Sequence, residues 1–158
     1  MNQCGECGAV YSDPNDSCAL RFEQLIALDH SRREPWGSRH GQAFAAFALQ
    51  HPLTYAPSAD AAWDSLYRIY CLGQLPAHVF GARRNRHAAA TDHVPPRPSR
   101  QVAIASLTIA DLGDFAAEAY AARLDSWCRA ALAAWGASPR AVDHPATPGA
   151  GSSAARAK

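Results

Sequence analysis

The chain has 158 residues, five cysteines and a formal net charge of +1. That length suits one domain, or one domain with a tail, and buries roughly 68–70% of the unfolded surface without help from disulfides. The near-zero charge argues against a global attraction to nucleic acid or an anionic membrane, and no run of about 18 apolar residues offers a membrane span.

Residues 1–16 read as an irregular segment. Gly5, Gly8 and the turn-forming run Asp13-Pro14-Asn15-Asp16 punctuate it. A first helix is expected from Cys18 to about His30, capped by Asp16 or Ser17, with Leu20, Phe22, Leu25, Ile26 and Leu28 at amphipathic spacing. Arg32 to Gly37 breaks it at Pro35. A second helix follows Ser38 and runs to about His51, where Pro52 stops it. A third is expected to be capped by Ser58 and to end at Gly73. A fourth opens near Pro76 and spans about 76–86.

The proline-rich stretch 87–100 reads as a loop, and 100–104 as a short extended segment. Thr108 and Asp111 have capping-box spacing. A last long helix is expected over about 114–135, ended by Gly136, with Tyr120, Trp127 and Ala131 on one side. From 137 to 158 the Ala, Pro, Gly and Ser composition reads as a disordered tail. The expected architecture is therefore all-α: a single domain over 1–136, roughly five helices, with a metal-knuckle segment at 1–16.

The chemistry concentrates in that segment. Cys4-Gly5-Glu6-Cys7-Gly8 is a CxxC with a glycine after each thiol, a spacing that lets two thiolates converge on one ion. Cys18 supplies a third sulfur, and a histidine on the second helix would close a tetrahedral site. His40 and His51 are eleven residues apart, or about 16 Å along a helix, too far to share one ion. If the second helix returns antiparallel to the first, His51 comes back beside Cys18 and His40 ends at the far end. The ligand set read from spacing is thus Cys4, Cys7, Cys18 and His51, binding Zn(2+). His40 is the fallback if the helices cross. Three thiolates and one imidazole make a closed, charge-compensated site, which points to a structural metal. Such sites contribute about 10–16 kcal/mol of apparent binding energy in small peptides, enough to order an apolar-poor segment.

Simpler readings exist for each residue. The CxxC fits a redox dithiol, Cys18 a small buried residue, and His51 a helix C-cap. Cys18 at a helix start, with His51 as base, would also suit a thiol nucleophile. Arg83, Arg84, Arg86, Arg97 and Arg100, with His87 and His93, form a locally basic stretch. It lacks interleaved aromatics and reads as a solvated loop rather than a nucleic-acid contact. Asp29, His30 and Glu34 could form a second polar cluster or simply an exposed helix end. Cys71 and Cys128 read as buried helix residues, and the four tryptophans as core or core-margin residues, with Trp36 in a loop where a pocket mouth would also suit it.

The string Cys4-x-x-Cys7-Gly8-Ala9, then Cys18-x-x-Arg21-Phe22, then Ala48-Leu49-Gln50-His51-Pro52, resembles a bacterial family of unknown function. The resemblance is strong over 4–52 and weaker through Trp63, Leu66, Thr108–Asp111 and Trp127. It implies a compact, mainly helical bacterial protein and offers no particular activity. It also implies a doubled histidine near His40. Arg39 stands at the first of those places, which favours His51 as the ligand. The odd cysteine count and the lack of a leader in MNQCGEC suggest a reducing cytoplasm. The functional expectation is a zinc-stabilised binding or regulatory module, with a protein partner conceivable. The alternative is a metal- or thiol-dependent enzyme using the Cys18/His51 region.

Overall fold

Alanine-rich α2 (His40–Gln50) forms the centre of the molecule, with eight of its eleven residues buried. Small side chains let neighbouring helices approach it closely, and it packs against α1 (Cys18–His30), α3 (Ala56–Tyr70) and α5 (Ala117–Ala134). The computed structural model describes residues 1–82 and 93–141. Among these, a short α4 (Pro76–Ala82) completes five helices, with a two-strand ladder at the N-terminus. The all-α expectation holds. No helix among the described residues is long and apolar enough to cross a membrane.

The core is continuous from the N-terminal segment to α5. Leu25, Leu49, Leu66, Tyr120, Leu124, Trp127 and Leu132 are its fully buried anchors. All four tryptophans are buried with their ring N–H groups satisfied. Trp127 donates to Gln50 Oε1 (2.8 Å), Trp135 to the Leu49 carbonyl (3.0 Å), Trp36 to the Phe115 carbonyl (2.9 Å) and Trp63 to the Pro95 carbonyl (2.7 Å). Trp36 is therefore a core residue of the loop after α1. Gln50 passes the connection on, donating through Nε2 to the Leu107 carbonyl (2.7 Å). This chain of bonds ties the C-terminal end of α2 to α5 and to the strap before Thr108.

Several boundaries differ from the sequence reading. Residues 1–16 are not wholly irregular: β1 (Asn2–Gln3) pairs antiparallel with β2 (Val10–Tyr11), Asn2 opposite Tyr11. α3 begins at Ala56, two residues before the expected Ser58 cap. Pro57 occupies its first turn, where a missing N–H costs nothing. α5 begins at Ala117, because Gly113 (φ +68°) and Phe115 (φ +60°) hold the chain in left-handed turns at the expected start. The 100–104 segment forms no strand. Instead the Val102 and Ala103 N–H groups both donate to the Ala134 carbonyl, satisfying the last turn of α5. Ser17 caps α1 by accepting from the Leu20 N–H, and Thr108 with Asp111 forms the reciprocal capping box.

The expected end of α4 at 86 lies outside the described residues, as do most of the 87–100 loop's first half and residues 142–158 of the expected tail. Past Gly136 the chain still runs against the body: Arg140 donates to the Tyr70 and Cys71 carbonyls, each at 2.8 Å.

Candidate metal centre

The CxxC lies in the tight turn between β1 and β2. Cys4 N–H donates to the Ala9 carbonyl (2.8 Å) and Gly8 N–H to the Cys4 carbonyl (3.1 Å), closing the turn. Gly8 sits at φ +81°, where a side chain is strained, and a Cβ there would also press on Ile104 at 3.2 Å. The turn points both thiols at the start of α1, where Cys18 is the first helical residue. From the other side comes His51, the C-cap of α2.

These four side chains meet. Their sulfur and nitrogen atoms all lie within 4.8 Å of one another. Cys4 Sγ is 3.6 Å from His51 Nε2, and Cys7 Sγ is 3.5 Å from Cys18 Sγ. Around a tetrahedral ion with sulfur at 2.3 Å and nitrogen at 2.0–2.1 Å, the donor–donor separations would be about 3.6–3.8 Å. The cluster is thus geometrically suited to a metal ion. Cys7, Cys18 and His51 are buried, and Cys4 is half-buried.

The imidazole is oriented for this. His51 Nδ1 lies 2.9 Å from the Phe47 carbonyl, which can only accept, so Nδ1 carries a proton and Nε2 is the nitrogen turned to the sulfurs, the one that would ligate an ion. The ring also stacks on Phe47 at 4.0 Å, and Phe47 stacks on Phe22 of α1 at 3.9 Å. His51 is therefore both a helix C-cap and a member of the cluster.

Two residues not singled out from sequence complete the site. Tyr11 donates its hydroxyl to Cys18 Sγ at 3.1 Å. Glu6, inside the CxxC, accepts from the Leu53 N–H (2.8 Å), the Thr54 N–H and the Thr54 hydroxyl, clamping the knuckle to the turn that follows His51. Burial pushes the Glu6 carboxyl up, but the Thr54 hydroxyl and the two backbone donors outweigh it and hold it below its usual value. Glutamate within a CxxC gives no signal by spacing alone. Its role depends on a partner 47 residues away.

The thiols are unequal. A hydrogen bond from Cys7 lowers Cys18 to about 4, against the upward pull of burial, and His51 and Tyr11 add to the lowering. Cys7 is correspondingly pushed up, by that same bond and by burial. Burial depresses His51, but its bonds to Cys18 and to the Phe47 carbonyl prevail and raise it to about 9. Without a metal, the cluster holds a Cys18 thiolate against a protonated His51. A cavity of about 250 Å³ opens beside them, lined among others by Cys4, Cys18, His51, Thr54 and Tyr55.

His40 lies elsewhere: its Nδ1 is 3.1 Å from Asp29 Oδ2, at the opposite end of α2 from His51. His30 meets the His40 ring edge-on, while Glu34 accepts from the Ser38 hydroxyl, so the expected cluster of Asp29, His30 and Glu34 divides. Arg97 is tied to Asp60 (2.7 Å) and stacked over Trp135, an intramolecular use of that arginine. Arg83, Arg84, Arg86 and His87 lie outside the described residues. Cys128 is fully buried, and burial pushes its thiol up to about 12, while half-buried Cys71 is also raised by burial. Neither cysteine lies in the cluster.

No curated protein and no solved structure matches the chain. Residues 2–136, which take in the knuckle and the helices α1 to α5, match a family described as a family of unknown function (DUF5946), and the chain belongs to that family.

Proposed function

We propose that this protein is a binding or regulatory module whose Cys4, Cys7, Cys18 and His51 hold one structural zinc ion. The observation that carries this reading is the donor set: three sulfurs and a correctly oriented Nε2 within 4.8 Å, mostly sealed from solvent. Three thiolates and the imidazole would fill the four positions of a tetrahedral ion, and the thiolates would offset its charge, leaving little Lewis acidity. The ion would join β1–β2, α1 and α2, which otherwise meet through few apolar side chains in 1–16. Residues 1–136 would then form the folding unit. Clustered thiols fit a reducing, cytoplasmic compartment, and bacterial origin follows the resemblance over 4–52.

The test is metal analysis of the purified chain. One zinc per chain is expected, and the Cys4→Ser/Cys7→Ser double variant should lose it. Full retention in that variant overturns the reading.

A second reading, a thiol-dependent enzyme, is favoured by the Cys18 thiolate, the His51 imidazolium and the adjoining cavity. Rapid alkylation of Cys18 by iodoacetamide in chelator-treated protein, with protection by a substrate-sized ligand, would support it. Slow alkylation there would remove it.

A further inference from the structure

A second polar arrangement stands at the other end of α2, independent of the metal centre. The Asp29 side chain is wholly excluded from solvent, yet only its Oδ2 has a partner, His40 Nδ1 at 3.1 Å, and Oδ1 has none among the described residues. Burying a carboxylate costs several kcal/mol unless it is well paired. Here the buried carboxylate holds one imidazole in one orientation. His30 packs edge-to-face on the same ring (centroids 5.4 Å apart), and Phe44 lies against it. A carboxylate oxygen accepts from Nδ1–H, so in the neutral imidazole Nε2 is the acceptor.

That imidazole lines a cavity of about 270 Å³ between α2, α3 and α4. The Phe44 and Phe80 rings, with Ala45, Ala61 and Ala62, supply its apolar lining, and His40, Ser58 and Ser65 its polar lining. Gly41 is required for this shape, because a Cβ there would lie 2.8 Å from the Phe80 ring. Ser65 also lines the cavity, but its hydroxyl donates to the Ala61 carbonyl at 2.8 Å. Ser58 lines the cavity too, but His40 is the polar lining group whose direction a buried carboxylate fixes.

We propose that this cavity binds a small aromatic compound carrying a hydroxyl group, its ring between Phe44 and Phe80 and its O–H donated to His40 Nε2. Its volume is several times the roughly 30 Å³ of one water and accommodates a single-ring compound. Such a molecule matches the two aromatic rings with a flat apolar face and supplies the imidazole with one donor. Asp29 is a positioning residue: it sets the tautomer and the direction of Nε2 without touching the ligand.

The test titrates the full chain with phenol and, separately, with toluene, following the His40 and Phe80 ring resonances by NMR and measuring metal content in parallel. Phenol should give saturable shifts at both rings, at least tenfold tighter than toluene. His40→Phe should bring phenol down to the toluene level. Asp29→Asn should shrink the phenol-to-toluene ratio while leaving toluene binding in place. Ala61→Leu, which fills the cavity, should abolish both. Equal binding of the two probes, no saturable shift, or undiminished phenol binding in His40→Phe overturns the proposal. An unchanged ratio in Asp29→Asn overturns the positioning role. The metal content of each variant should stay that of the parent chain, which separates this site from the cysteine centre.

Discussion

Cys18 takes its character from its place at the start of α1. Cys7, Tyr11 and His51 converge on its sulfur, and a helix N-terminus favours the anion. In the metal-free chain the folded Cys18 value, about 4, is below its usual 9, so its contribution is lost as pH falls through that range. The folded His51 value, about 9, is above its usual 6.5, so its contribution is complete below 6.5 and lost as pH rises through 9. Between about 6.5 and 9 the two trends offset. Below 6.5 this pair binds one proton more in the unfolded chain than in the folded one, and its contribution to stability should fall toward pH 4. Thermal midpoints of chelator-treated protein should therefore decline between pH 6.5 and 4.5. A flat profile there would contradict the thiolate–imidazolium pair. At the same scale, Tyr11→Phe removes one bond to the Cys18 sulfur and should cost about 1 kcal/mol in urea unfolding, with the zinc stoichiometry unchanged.

Among the elements, the knuckle and the α2–α3 turn depend on each other. The β1–β2 turn brings Cys4 and Cys7 into position, but Glu6 fixes that turn against Leu53 and Thr54, just beyond His51. Glu6→Ala should leave all four ligand side chains in place yet loosen their relative placement. A loss of about tenfold or more in zinc affinity is expected by competition with a chromophoric chelator, the size usual for groups that support metal ligands. An affinity equal to that of the parent chain would show the clamp to be dispensable. Gly8→Ala tests the turn itself. It meets both the left-handed backbone cost of about 1–2 kcal/mol and the contact with Ile104, and its melting midpoint should fall while α1–α5 keep their helical signal.

For the molecule as a whole, α2 acts as a rigid rod with a separate group of polar side chains at each end. His51 belongs to the cysteine cluster, and His40 to Asp29 and the α2–α3–α4 cavity. Gln50 locks the rod to its surroundings by accepting from Trp127 and donating to the Leu107 carbonyl. Gln50→Leu would leave both partners buried and unpaired. The expected loss is roughly 2–4 kcal/mol by urea unfolding, among the larger effects in this chain, and a change below about 0.5 kcal/mol would show that solvent reaches those groups.

Local chemistry was legible in the amino-acid order. A CxxC closes its own turn, an apolar stripe recurs every three or four residues, and Ser17 or Thr108 caps its own helix, because each of these involves residues within a turn or two of one another. The five helices followed from such spacing, as did the concentration of thiols near one end. Boundaries shifted where the backbone had a choice: Phe115 adopts a left-handed conformation with its ring buried, and no spacing rule anticipates that. Tertiary structure alone decided which atoms meet across long stretches of chain. Glu6 reaches Thr54, and Asp29 turns inward to hold His40. Each of these depends on how the alanine face of α2 seats against α1, α3 and α5. That packing is a sum of many weak apolar contacts over the whole core, so no single residue announces it.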